Sequence, residues 1–150
     1  MALTGNLQVP SPGCSAPAYP CPKRTILVAE DSADSREMLQ VLLEMKGYAV
    51  ISAADGHRAV EAAVQKIPDL ILIDLQLPGL NGLSVTKELR LRPELQAVPI
   101  ILISGHDPAK YRTEALRAGC DDYLLKPIDF ERLDQILHER IPAAVRARCA

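Results

Sequence analysis

The chain has 150 residues, of which 48% are hydrophobic, and this is enough for one domain with a substantial core. The formal net charge of −2 and the aromatic content of 3% exclude the basic, base-stacking surface that nucleic-acid binding requires. No apolar segment approaches the roughly 18 residues of a membrane span. The four cysteines lack metal-ligand spacing, and the start of the chain lacks a basic signal region, so we expect a cytoplasmic protein with reduced thiols.

Proline content separates a leader from the folded part of the chain. Residues 1–23 contain five prolines and show neither a helical nor a strand period, which predicts a flexible leader, with a docking peptide as the alternative. Residues 24–141 are predicted to form a single domain, and residues 142–150 a short C-terminal tail.

Five short apolar runs in the folded part predict β-strands. They cover residues 25–29, 48–52, 70–73, 100–103 and 122–125. A helical pattern follows each run, and four helices have a polar N-cap candidate: Asp55, Asn81, Asp107 and Asp129. Strands that alternate with helices predict an α/β fold, here a doubly wound, five-stranded parallel sheet with helices on both faces.

The first helix carries Met38, Val41, Leu42 and Met45 at helical spacing, with Gly47 just beyond its end. This spacing predicts that these four side chains share the apolar face of the helix.

Reactive side chains follow four of the five predicted strands. Strand one ends at Glu30 and Asp31, strand three at Asp74, strand four at Ser104 and strand five at Lys126. The carboxyl ends of parallel strands lie on one edge of the sheet, where ligands bind in open α/β folds. Three carboxylates there would repel one another without a cation, and hard oxygen ligands suit Mg²⁺. Asp74 could then act as a nucleophile in phosphoryl transfer, with Mg²⁺ and Lys126 neutralising charge.

Each of these residues also has an ordinary structural explanation when it is taken alone. Glu30 and Asp31 could cap the first helix, Asp74 could order a turn, Ser104 could begin a loop, and Lys126 could be solvated. The chemical interpretation depends on their common position at one edge of the sheet.

Four segments of the sequence resemble the receiver domain of two-component response regulators. They are LVAED at 27–31, DLILIDLQLP at 69–78 together with Gly82, IS at 103–104, and YLLKP at 123–127. The resemblance covers roughly residues 24–141 and places every signature position of the family in the right order.

The resemblance implies a role for each residue of the strand-end cluster. Asp74 would be the phosphoacceptor, and Glu30, Asp31, Asp74 and the backbone carbonyl of Gln76 would form the Mg²⁺ site, with Glu30 acting mainly through water. Lys126 would contact the phosphoryl group, and the bond from Lys126 to Pro127 would be cis.

Two further residues would form the conformational switch implied by the resemblance. Ser104 would bond the phosphoryl oxygen after transfer, and the aromatic side chain of Tyr123 would turn inward as Ser104 moves. The face formed by helix four, strand five and helix five would be the output surface. Glu30 and Ser104 stand where the family more often has Asp and Thr, and both retain the required chemistry.

The resemblance also implies partners. The phosphoryl donor would be a histidine kinase or a histidine phosphotransfer protein, and a downstream protein effector would read the state of Asp74. We expect no output domain after helix five, which would resemble stand-alone regulators of the DivK and CheY type, and residues 76–87 are also similar to receivers attached to hybrid kinases. Such a protein catalyses only its own phosphorylation and dephosphorylation, so we expect no enzyme in the usual sense, no nucleic-acid partner and no membrane partner.

Three alternative functions remain. A haloacid-dehalogenase-like phosphatase needs a second Asp two residues after the nucleophile, where this chain has Gln76. A flavodoxin-like cofactor binder needs a glycine- and hydroxyl-rich loop after strand one, where this chain has Glu30 and Asp31. A degenerate receiver would act as a constitutive protein-interaction module, without phosphorylation.

Overall fold

A computed structural model describes residues 23–141, so the predicted C-terminal tail and all but the last residue of the predicted leader lie outside the described residues. The described part contains one parallel sheet of five strands, which lie side by side in the order Ala49–Ala53, Thr25–Ala29, Leu70–Asp74, Ile100–Ser104 and Asp122–Leu125. The predicted α/β fold is therefore confirmed.

Within residues 23–141, strands and helices alternate, with one 3-10 turn at Pro93–Leu95. The strands are β1 (Thr25–Ala29), β2 (Ala49–Ala53), β3 (Leu70–Asp74), β4 (Ile100–Ser104) and β5 (Asp122–Leu125). The helices are α1 (Ala33–Met45), α2 (Gly56–Lys66), α3 (Gly82–Arg90), α4 (Pro108–Ala118) and α5 (Phe130–Arg140). In this part of the chain, no helix combines the length and the apolar character needed to cross a bilayer.

Strand β3 lies at the centre of the sheet and is buried along its whole length. Its side chains alternate between two apolar layers. Ile71 and Ile73 pack in the layer that includes helices α2 and α3, whereas Leu70 and Leu72 pack in the layer that includes α1 and α5. This double burial explains why β3 reads as a continuous aliphatic run rather than an alternating one.

The predicted N-caps are present at all four helices. The side chains of Asp55, Asn81, Asp107 and Asp129 each accept a hydrogen bond from a backbone N–H in the first turn of their helix. Helix α1 also has an N-cap, Ser32, which was not among the predicted caps. Its Oγ accepts a hydrogen bond from the N–H of Ser35. These caps begin the helices immediately after the loops at the carboxyl edge of the sheet.

The apolar face predicted for α1 is largely exposed, and a different pair of leucines packs against the sheet. Met38, Val41 and Met45 are 46%, 49% and 79% exposed, whereas Leu39 and Leu43 are fully buried against the sheet. Both sets of residues have helical spacing, so the periodicity alone could not identify the face that packs. The result is an exposed apolar surface on α1.

Candidate functional site

Asp74 ends the central strand at the carboxyl edge of the sheet and is 4% exposed. Its Oδ1 accepts a hydrogen bond of 3.0 Å from the N–H of Gln76, which fixes the start of the following loop. Gly82, the first residue of α3, packs closely behind it, because a Cβ at Gly82 would lie 2.6 Å from the backbone oxygen of Asp74. The carboxylate is thus held in one position by the tightly packed end of β3.

Two further carboxylates follow strand β1. Glu30 is 3% exposed and Asp31 is exposed, and both precede the Ser32 cap of α1. Glu30 Oε2 accepts from the N–H of Ser32 at 3.1 Å. Carboxylate oxygens of Glu30, Asp31 and Asp74 all lie within 4.8 Å of one another. The structure therefore brings together the three acids that the sequence placed at two strand ends.

Lys126 joins two of these acids from the end of strand β5. Its Nζ donates to Asp74 Oδ2 at 2.6 Å and to Glu30 Oε1 at 3.2 Å. The bond from Lys126 to Pro127 is cis, as the resemblance implies. One ammonium group offsets part of the charge of three carboxylates, so the site keeps a net negative charge that favours a cation.

The surroundings raise the pKa of two groups in the site. Burial raises the pKa of the Glu30 carboxyl, and the negative charge of Asp74 adds to this effect, while the hydrogen bond from the Ser32 N–H opposes it. Burial alone would lower the pKa of the Lys126 ammonium, but its hydrogen bond to Asp74 and the charges of Asp74 and Glu30 outweigh burial and raise it. Lys126 therefore stays charged at neutral pH.

Ser104, at the end of β4, lies beside the acidic cluster with 1% exposure. Its Oγ accepts a hydrogen bond of 3.0 Å from the N–H of His106. Tyr123 is also buried, and its hydroxyl donates to the backbone oxygen of His106 at 2.9 Å. Tyr123 is therefore bonded to the loop that follows Ser104, and the roles of both residues in a switch stay a prediction.

Gln76 lies in the β3–α3 loop and lines one cavity together with Asp31 and His106. Its side-chain Nε2 is 2.9 Å from His106 Nε2. The contact crosses between the loops that follow β3 and β4. The resemblance to receiver domains places Gln76 and His106 beside the site, but their bond could not be predicted because it depends on the conformations of both loops.

Sequence reasoning also missed Arg36. This side chain reaches back from the first turns of α1, and its Nη1 donates to the backbone oxygens of Glu30 at 2.8 Å and Asp31 at 3.4 Å. It thereby holds the turn that presents both acids. An arginine five residues after Asp31, one helical turn beyond the N-cap, was the available signal.

The chemistry of this donor set fits a hard divalent cation. The cluster offers carboxylate oxygens and no nitrogen or sulfur ligand, and one of its acids is exposed, which leaves room for metal-bound water. Mg²⁺ prefers such a site, with few protein oxygens and several retained waters.

The fold and this edge of the sheet define a class of protein. The family model described as "Response regulator receiver domain" matches residues 26–138, and the chain belongs to that family.

Curated relatives support the assignment. The chain is 37% identical to PilH of Pseudomonas aeruginosa over 108 residues, which cover 72% of this chain and 89% of PilH. It is also 37% identical to the transcriptional regulatory protein ZraR of Salmonella typhimurium over 120 residues. That match covers 79% of this chain but only 26% of ZraR, so the chain corresponds to about a quarter of that relative.

Solved structures show the same fold. The receiver domain of the sensor histidine kinase PA1611 from Pseudomonas aeruginosa, which has a magnesium ion coordinated in its active-site cleft, matches with a TM-score of 0.74 and 36% identity over 80% of this chain and 98% of that one. The chemotaxis protein CheY4 of Vibrio cholerae matches with a TM-score of 0.76 and 27% identity over 80% of this chain and 100% of that one. The chain is thus homologous to receiver domains of the CheY and PilH type.

Proposed function

We propose that the protein is a phosphoaccepting receiver that takes a phosphoryl group from a phosphohistidine donor onto Asp74 and signals through a conformational switch or a phosphorelay. The observation that carries the proposal is the pairing of Asp74 with Lys126 at 2.6 Å inside a cluster of three acids. A degenerate interaction module would have no need for this charged cluster at the end of a buried strand, where an unpaired charge is costly.

The reaction is a displacement at phosphorus. A carboxylate oxygen of Asp74 forms the new O–P bond while the P–N bond of the phosphohistidine breaks, and the imidazole leaves with that electron pair and takes up a proton. Lys126 already holds Oδ2 of Asp74, and its charge would neutralise the oxygens of the transferred group. Ser104, buried at the end of β4, would bond one of those oxygens after transfer.

Mg²⁺ would be held by Asp31, Asp74 and the backbone carbonyl of Gln76, with Glu30 acting mainly through water. When bound, the ion supplies charge neutralisation between the acids and the phosphoryl oxygens. Asp31, Gln76, His106 and Leu75, the residue after Asp74, line one cavity, and the phosphoryl donor would approach the acceptor through it.

The donor, a histidine kinase or a histidine phosphotransfer protein, would dock on the exposed apolar surface of α1. We call this surface the α1 patch; it consists of Met38, Val41, Met45 and the neighbouring Phe130, with Asp34 and Glu37 at its acidic margin. Helix α1 begins two residues after Asp31, so a helical partner on this patch would reach the acceptor with its histidine. Exposed apolar patches of this kind mark protein interaction sites.

A downstream protein effector would bind the output surface formed by α4, β5 and α5. Leu116 and Leu125 on this face are 48% and 43% exposed, while Tyr123 lies buried beneath it. No other catalytic activity is needed for this role, so the protein would catalyse only its own phosphorylation and dephosphorylation.

The mass of the intact protein after incubation with acetyl phosphate and Mg²⁺ tests the proposal. We expect one added phosphoryl group that is stable to acid, labile to hydroxylamine and absent with EDTA. Asp74→Asn should remove the labelling, whereas Asp129→Asn, which exchanges the same atoms but keeps the N-cap of α5, should not. Labelling that persists in Asp74→Asn contradicts the assignment, and an unlabelled wild-type protein that also fails with its phosphohistidine donor supports the interaction module.

A further inference from the structure

His106 contacts four residues around the acidic site. Its backbone N–H donates to Ser104 Oγ at 3.0 Å, and its backbone oxygen accepts from the hydroxyl of Tyr123 at 2.9 Å. Its ring lies against the ring of Tyr111 on α4, with centroids 4.9 Å apart, and its Nε2 lies 2.9 Å from Gln76 Nε2. One residue therefore connects the loop after β3, the switch hydroxyl, the buried tyrosine and helix α4.

The contact between Gln76 and His106 is a hydrogen bond between an amide and an imidazole, with 2.9 Å between the two Nε2 atoms. The bond links the loop after β3 to the loop after β4. Because Ser104 and Tyr123 both bond to the backbone of His106, a constraint on its ring is also a constraint on them.

We propose that the hydrogen bond between Gln76 and His106 is a clasp that holds Ser104 and Tyr123 in their present arrangement, so that His106 is a positioning residue for the switch. This inference rests on the proposed function of Asp74. When the Ser104 hydroxyl turns toward a phosphoryl oxygen on Asp74, the N–H of His106 loses its acceptor while the clasp still fixes the ring. The clasp therefore opposes the turn, and its loss favours the phosphoryl-bound arrangement.

Two single variants and their combination test the clasp. Gln76→Ala removes the side-chain amide but keeps the backbone carbonyl, and His106→Phe keeps a ring against Tyr111 but removes the ring nitrogens. The probe is beryllofluoride with Mg²⁺, a non-covalent mimic of the phosphoryl group, and its affinity is read from the amide NMR signals of Ser104 and Tyr123. We expect each single variant to bind beryllofluoride on the order of fivefold more tightly, the factor that the net free energy of one hydrogen bond allows.

The double variant separates a clasp from two independent effects. If the two side chains act through one bond, Gln76→Ala combined with His106→Phe gives no further gain over either single variant. A second readout, independent of phosphoryl chemistry, is the ¹⁵N shift of the His106 ring, which should differ between the wild type and Gln76→Ala because the bond to the ring is lost. His57→Ala, which removes an exposed histidine outside the clasp, is the matched control and should change neither readout.

The outcomes distinguish this inference from the proposed function. A wild-type protein that binds beryllofluoride, with unchanged affinity in both single variants or with additive gains in the double variant, overturns the clasp and leaves the phosphoacceptor intact. A wild-type protein that binds no beryllofluoride and takes no phosphoryl group overturns both.

Discussion

The local environment of Glu30 disfavours the charged form of its carboxyl. Glu30 is almost fully buried, it lies beside Asp74, and both effects raise the pKa of its carboxyl. The folded protein consequently holds the Glu30 proton more tightly than the unfolded chain does. Protonated Glu30 thus favours folding, and this contribution is complete below the ordinary value of 4.5 and lost as the pH rises through the raised pKa.

Glu30→Gln should remove this pH dependence. In urea unfolding with EDTA, the wild type should lose stability relative to the variant as the pH rises from 4.5 through the raised pKa, and the difference should be constant at lower pH. The informative quantity is the slope of the free energy of unfolding against pH. The free energy at any one pH is also affected, because the variant loses the ion pair with Lys126. Parallel stability curves for the two proteins across this range would contradict the electrostatic account of Glu30.

Lys126 contributes to the site through its charge at Asp74. Lys126→Ala should accept a phosphoryl group from acetyl phosphate on the order of a hundredfold more slowly, the usual cost of removing one preorganised stabilising group. Binding of Mg²⁺, measured by calorimetry, should persist because the three acids remain. Lys87→Ala, at an exposed position on α3, serves as the control. A wild-type labelling rate in Lys126→Ala would exclude this role.

At the scale of elements, α1 shows that a helical pattern of apolar residues does not reveal which face of the helix packs against the sheet. The helix has two apolar faces, and the one that packs carries Leu39 and Leu43, whereas the other forms the α1 patch. Leu39→Ala should lower the free energy of unfolding by about 2–5 kcal/mol, because it leaves a cavity in the layer beneath the sheet. Met38→Ala should change it by no more than about 0.5 kcal/mol. Chemical denaturation of both variants checks the assignment, and equal losses would contradict it.

The α1 patch should affect donor recognition without affecting chemistry. Val41→Asp should slow transfer from a phosphohistidine protein on the order of tenfold or more, since a charge in a desolvated apolar contact is costly. Labelling by acetyl phosphate, which needs no docking, should be unchanged. Leu91→Asp is the control, because Leu91 is 80% exposed on the other side of the sheet. Equal transfer rates in both variants would place the donor elsewhere.

Local signals predicted much of the fold and of the site. The caps at Asp55, Asn81, Asp107 and Asp129 and the aliphatic strands have short-range causes, and parallel strands place their ends at one edge by topology. The sequence could not predict contacts that depend on the paths of loops. Arg36 folding back onto Glu30, and Gln76 reaching His106, each require a backbone conformation that no periodicity encodes.

For the whole molecule, occupancy of the acidic site should be linked to stability. A cation that binds only the folded state stabilises it by about 2.7 kcal/mol at a concentration one hundred times its Kd. Thermal unfolding should therefore shift upward with Mg²⁺ in the wild type and much less in Asp31→Asn, while Asp129→Asn should behave like the wild type. An equal shift in all three proteins would indicate a non-specific salt effect.

The order of the strands has a consequence for how such a protein can diversify. Asp74 ends the central strand, which has two strands on either side, whereas Tyr123 belongs to β5, which has a single neighbour. Remodelling a border strand perturbs one ladder of backbone hydrogen bonds, but remodelling the centre perturbs two and breaks both apolar layers. Substitutions can therefore accumulate on the edge strand β5 and change which effector proteins bind, while the chemistry at the end of the central strand β3 is kept.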